Sequence, residues 1–302
     1  MLRKSFKNID LLPALGVFLY FILSAGCSSE SKLEGPNGFI QIKGSDTIVN
    51  AAQMLAEDFM KDYPYIFVAV TGGGSGVGIA SLINKTCDIA DASRKMRPKE
   101  IEMAEKRGVD PKEFVVAYDG VAVIVNKSNP VSKLTIKNLH DIFTGKITNW
   151  KGLGGPNKKI VALSREVSSG THMYFKEKVI RLENKKSTEE FSPETLLLTS
   201  SQAIVEEAAN NDSAIGYLGM GYTSDRTKSV MIAEKDDDFY PPTVEFVSSG
   251  KYPLSRPLQM YTNGEPKGVV KIFMDFVFSP KGQSIFRKTG FVPLKLHETE
   301  TN

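Results

Sequence analysis

Serine, threonine and glycine gather in three short turns, each set between a β-type run and a helix-like run, and an arginine stands at the head of the third. The first turn, Gly44-Ser45-Asp46-Thr47, follows the run 39–43 and precedes Ile48, Ala51, Ala52, Leu55 and Phe59, whose spacing fits one helical face. The second, 71–78, holds Gly74 and Ser75 and lies between the run 66–70 and Ile79, Leu82 and Ile83. The third, 164–171, holds Arg165, Ser169, Gly170 and Thr171 and leads into Tyr174, Phe175, Val179 and Ile180. Hydroxyls can donate hydrogen bonds, glycine lets backbone N–H groups approach a ligand closely, and a helix start leaves N–H donors unpaired beside a partial positive charge. With a planar guanidinium added, the chemistry is capture of an oxyanion, held mainly by neutral dipoles.

Bond-breaking chemistry has less support. The glycine run 72–78 lacks the Gly-Lys-Ser/Thr ending of a nucleotide loop, and no Gly-x-Ser-x-Gly elbow accompanies the third turn. His140, His172 and His297 have no metal-ligand spacing, so no metal centre and no cofactor are expected. His172 beside Thr171 reads as a first-turn helix residue, and Trp150 as packing.

The elements that must carry these turns alternate between strand and helix patterns from Phe39 onward, which favours an α/β architecture. Two apolar, β-branched runs, 114–118 and 121–125, are interrupted only by Asp119-Gly120, and so long an extended stretch can cross from one lobe to another. The run 139–145 is a helix closed by a glycine. The segments 244–247, 252–254 and 259–262 read as extended and supply the return crossing. Two crossings imply two discontinuous lobes with a cleft between them: residues 39–122 with 245–302, and residues 123–244.

The chain opens differently. Arg3, Lys4 and Lys7 precede an apolar run from Leu11 to Leu23 that closes on Leu23-Ser24-Ala25-Gly26-Cys27, the pattern of a secretory signal over residues 1–26. The apolar run is too short to span a bilayer comfortably. Its end is similar to a bacterial lipobox, which implies cleavage before Cys27 and a lipid anchor on that residue, with 27–38 as a polar tether. Cys27 and Cys87 are the two cysteines, so neither a disulfide framework nor a cysteine metal site is expected. The formal charge of +3 includes three bases and one acid of the leader, which leaves the remainder near neutrality and argues against nucleic acid as a partner.

Several motifs, in this order and spanning nearly all of the chain beyond the leader, carry a family likeness: Gly44-Ser45-Asp46-Thr47, the glycine-rich 72–78, Ala92-Ser93-Arg94, 139–150, 165–171, Ala214-Ile215-Gly216-Tyr217, 252–257 and 279–283. Together they resemble the phosphate-binding proteins of the bacterial phosphate-specific ABC transporter. The resemblance implies a two-lobed type II periplasmic-binding-protein fold, each lobe a mixed sheet flanked by helices, with the ligand in the interlobe cleft. It implies a monomer without catalytic turnover, exported and held at the periplasmic or extracellular face of a membrane, which closes on inorganic phosphate and delivers it to transmembrane permease subunits. Carried over by position, the ligand set is Asp46, Thr47, Ser75, Ser93, Arg165, Ser169, Gly170 and Thr171, with backbone help from Ser45 and Gly74.

Two positions depart from the family pattern. Arg94 stands where relatives that reject sulfate place an aspartate to accept the ligand's proton, and an arginine cannot accept a hydrogen bond. Asp46 is then the first replacement acceptor and Asp119 the second; Asp46 can also serve simply as a helix cap, and Arg94 either touches ligand or forms a salt bridge. Val167 stands where an aspartate often steers the arginine. The alternatives that remain are a binder of sulfate, arsenate or another tetrahedral oxyanion, a secreted phosphohydrolase using Ser169 or Thr171, and a surface receptor on the same fold.

Overall fold

The computed structural model describes residues 35–235 and 238–295; the leader, Cys27 and most of the tether lie outside the described residues. The first half begins with β1 (Gly38–Gly44), α1 (Val49–Asp62), β2 (Ile66–Thr71), α2 (Ser75–Ile83), β3 (Ile89–Ala92) and α3 (Pro98–Lys106). β1 pairs in parallel with β2 on one side and β3 on the other. The buried face of α1 is Ala51, Ala52, Leu55, Ala56 and Phe59, as the spacing predicts.

The long extended stretch is one strand, β4 (Pro111–Asn126). Its first part runs antiparallel to β10 (Ser255–Asn263), from Pro111 opposite Asn263 to Gly120 opposite Ser255. Between them come β5 (Lys133–Thr135), α4 (Ile136–Phe143), β6 (Val161–Arg165), α5 (Gly170–Phe175), β7 (Leu196–Leu198), α6 (Ser201–Asn210), β8 (Ala214–Gly219), β9 (Thr227–Ala233) and α7 (Val244–Ser248). From Val121 onward β4 exchanges β10 for β8 and β9. The chain closes with α8 (Gly268–Phe278), α9 (Pro280–Lys288) and β11 (Val292–Pro293), the last pairing back onto β4.

Each side of that handover has its own interior. Ile40, Leu55, Phe59, Val116, Phe273 and Phe286 belong to one core, with a satellite of Ile79, Leu82 and Tyr261 beside it. Val123, Phe143, Trp150, Leu163, Phe175 and Tyr217 belong to the other. Trp150 is wholly buried there, its indole N–H donating to the Ser213 carbonyl at 2.9 Å, so it packs as expected.

The return crossing differs from the expected one. Val244–Ser248 is a short helix rather than a strand, because the Thr243 side chain accepts from the Phe246 amide and caps it. Val247, Tyr252 and Leu254 pack into the second core, and pairing with the first part of β4 begins at Ser255.

Phe59 anchors the first core through ring contacts to Tyr63, Phe273 and Phe276 at 4.7, 5.1 and 5.5 Å. Phe59→Ala should cost about 3–5 kcal/mol of unfolding free energy. Equilibrium denaturation in urea measures this, with a loss below about 1 kcal/mol contradicting it.

Candidate functional site

The three hydroxyl-bearing turns converge from both lobes. Thr47, at the end of the β1–α1 turn, places its Oγ1 2.8 Å from that of Thr171 in the first turn of α5. Ser75 opens α2, and its Oγ accepts from the Ser93 amide at 3.0 Å and lies 3.3 Å from the Ser93 Oγ. Ser45, Thr47, Ser75, Ser93, Ser169 and Thr171 are all buried, an unusual concentration of hydroxyls away from solvent. Gly170 lets the second lobe reach the serines: a β-carbon there would stand 2.2 Å from the Ser75 Oγ and 2.5 Å from the Ser93 Oγ. The Gly76 amide donates to the Ser168 carbonyl at 2.9 Å, and the Ser168 hydroxyl donates to the Gly73 carbonyl at 3.1 Å, which bind the rims of the two lobes together.

Arg165, at the end of β6, is completely buried. Its Nε donates to the Leu198 carbonyl, Nη2 to the Thr199 carbonyl, and Nη1 to both the Ser201 hydroxyl and the Asp46 carboxylate at 2.9 Å. Those bonds use four of the five donors of a guanidinium, leaving one rather than a free two-pronged fork.

Asp46 accordingly has a different place from the one its position suggested. Its Oδ2 receives Arg165 and also the Ser201 amide, at 2.8 Å, at the start of α6. Its backbone carbonyl accepts from the Tyr222 hydroxyl at 2.6 Å. One residue of the first lobe is thus held three times by the second, and the aspartate missing at position 167 is supplied across the cleft. Val167 itself is 70% exposed.

Arg94 is not brought into the hydroxyl cluster. Its Nη1 and Nη2 form a two-pronged pair with Glu100 at 2.8 and 2.9 Å, and its Nε is buried without a partner. Burial would raise the Glu100 carboxyl, but hydrogen bonds from Arg94 and Arg97 hold it down to about 2. Two backbone donors are also spent: the Ser45 amide on the Asp91 carbonyl, and the Gly74 amide on the Gly44 carbonyl.

One charged residue of the site went unassigned in the sequence. Arg256 is buried, donates through Nη1 to the Ser93 carbonyl at 3.0 Å, and pairs with Asp119 at 2.7 and 3.0 Å. Burial pushes the Asp119 carboxyl up, with Arg256 and the Met220 amide pulling against it. The available signal was two opposite charges, each alone inside an apolar β-type run.

His172 offers no nucleophile activation at Ser169. Its Nδ1 lies 3.1 Å from the Ser164 Oγ, its ring stacks on Phe191, and burial lowers its pKa to about 4. The Ser169 Oγ instead accepts from the Thr171 and His172 amides as the cap of α5.

A sequence profile described as the PBP superfamily domain matches residues 28–281. A relative named phosphate-binding protein PstS, from Staphylococcus epidermidis, is 32% identical over 269 residues, covering 85% of this chain and 80% of its own. This chain belongs to the phosphate-binding protein family. Another of that name, from Borreliella burgdorferi, is 31% identical over 282 residues, covering 92% of this chain and 98% of its own. Among solved structures, a phosphate ABC transporter substrate-binding protein from Clostridium perfringens with bound phosphate is 33% identical, with a TM-score of 0.76, and covers 85% of this chain and 100% of its own. The phosphate-binding protein family consists of solute-binding proteins with the two-lobed type II fold.

Two tests follow from the geometry. Gly170→Ala should hold the lobes apart, seen as a larger radius of gyration in small-angle scattering with the melting transition retained; an unchanged radius would refute the close approach. For Glu100 the folded pKa is below the ordinary value of 4.5, so the contribution is present above about 4.5 and fades toward about 2. The stability gap between the wild type and Glu100→Gln should therefore shrink as pH falls from 5 to 2, and a constant gap would contradict the assignment.

Proposed function

We propose that this chain captures inorganic phosphate between its lobes and delivers it to the transmembrane subunits of an ABC importer, held to the membrane by a lipid on Cys27. The observation that carries the reading is the convergence of buried hydroxyls from both lobes beside two buried guanidiniums, in a chain similar to a protein solved with phosphate bound. The lobes are taken as residues 39–120 with 255–295, and residues 121–254, following the two cores.

In this reading Thr47, Ser75, Ser93, Ser169, Gly170 and Thr171 donate to the ion, Arg165 gives its remaining N–H, and Ser45 and Gly74 shape the loops. Asp46 acts on Arg165, and Arg94 belongs to the rim. A hydrogen bond to a charged group contributes roughly 1.5–3 kcal/mol, and micromolar affinity needs roughly 8 kcal/mol, so a handful of donors exceeds the requirement. Desolvation and lobe closure offset the excess.

One observation favours a second reading, a binder of several tetrahedral oxyanions. Both carboxylates named as acceptors of a ligand proton, Asp46 and Asp119, are ion-paired. The deciding experiment is calorimetric titration of anion-stripped protein with phosphate and then sulfate. Tight one-to-one binding of phosphate alone is expected; equal binding of sulfate selects the second reading, and no binding of either overturns both. Arg165→Ala should weaken phosphate affinity by at least about a hundredfold, as expected when a buried charged donor is lost; unchanged affinity would remove Arg165 from the site.

A further inference from the structure

Arg256 and Asp119 are directly opposed on β10 and β4, one residue from where both strands pass between the lobes. The Asp119 Oδ2 takes Nε and Nη2, while the rest of the guanidinium reaches forward. Nη1 donates to the Ser93 carbonyl at 3.0 Å, and Nη2 faces the Thr171 Oγ1 at 3.0 Å and the Thr47 Oγ1 at 3.4 Å. Tyr174 lies against it, 5.4 Å from ring centre to guanidinium carbon, with its hydroxyl donating to the neighbouring Ser255 carbonyl. One side chain therefore touches three separate loops, two of the first lobe and one of the second.

The chemistry of that contact has a direction. A hydroxyl carries one proton and two lone pairs, whereas a guanidinium can only donate. The Thr47 and Thr171 hydroxyls are close enough for one to donate to the other. One Nη2 proton goes to Asp119 and the other lies against the Thr171 oxygen at 3.0 Å, with the Thr47 oxygen at 3.4 Å, so the one proton left over in the hydroxyl pair points elsewhere. Without the arginine the same pair could turn lone pairs toward an anion and repel it.

We propose that Arg256 is a positioning residue for anion binding: it orients the Thr47–Thr171 hydroxyl pair so that its one free proton is offered to the anion, and it fixes the Ser93 loop, with Asp119 as the counter-charge that makes its burial tolerable. This rests on the phosphate reading above. Removing one member of a buried ion pair strands the other, so the pair is tested by replacing both.

The full chain in detergent, stripped of anion, is titrated with phosphate as wild type, as Asp119→Asn with Arg256→Gln, as Thr171→Val, and as all three together. Failure of the wild type to bind would defeat the phosphate reading itself. Given binding, the paired replacement should melt cooperatively and lose at least about tenfold in affinity, and that loss should be at least about threefold smaller when Thr171 is already valine, because part of the effect runs through that hydroxyl. No loss, or the same loss on both backgrounds, would overturn the positioning role. Should the paired variant fail to melt cooperatively, Arg256→Lys keeps a charge opposite Asp119 but lacks the fork, and the same comparison on the two backgrounds decides.

Discussion

Two guanidiniums buried at one seam constrain everything around them. A charge removed from water is costly unless paired and fully hydrogen-bonded, and the cost rises when one partner is lost. Arg165 meets that demand with two backbone carbonyls, the Ser201 hydroxyl and a carboxylate borrowed from the opposite lobe. Arg256 meets it with Asp119 on the neighbouring strand and with carbonyl and hydroxyl oxygens of three loops. The loops cannot be rearranged without stranding a cation, so the site is specified as much by what the arginines require as by what a ligand would.

That constraint also explains the division of labour among the acids. Asp46 and Asp119 each neutralise an arginine, so the centre of the seam is a set of dipoles and paired charges with little net field. Glu100 does the same for Arg94 and Arg97 at the rim. In the proposed reading, selectivity among anions then depends on hydroxyl orientation and close fit more than on bulk attraction.

Much of this was legible in the sequence, and the division between legible and hidden is physical. The hydroxyl loops could be read because their chemistry is local: glycine, serine and a following helix period lie within a dozen residues. The α1 face and the long crossing strand followed from periodicity in the same way. The helix at Val244–Ser248 was misread because its apolar, β-branched run favours a strand, and one threonine cap outweighs that preference. Asp46 and Arg256 were hidden for another reason. Their roles come from partners 119 and 137 residues away in the chain, a distance over which spacing carries no information.

The two strands that pass between the lobes also act as a mechanical element. β4 belongs to both sheets without a break, and β10 leaves it at Ser255, so the lobes are joined through adjacent peptide planes rather than through a slack linker. Displacement in a rotation grows with distance from its axis. A residue one step from the crossing, such as Arg256, stays nearly stationary while loops at the rim travel furthest. Any rotation about that axis would keep Arg256 and Asp119 together, both on the crossing strands, while the bonds from Asp46 to Arg165 and the Ser201 amide would have to part.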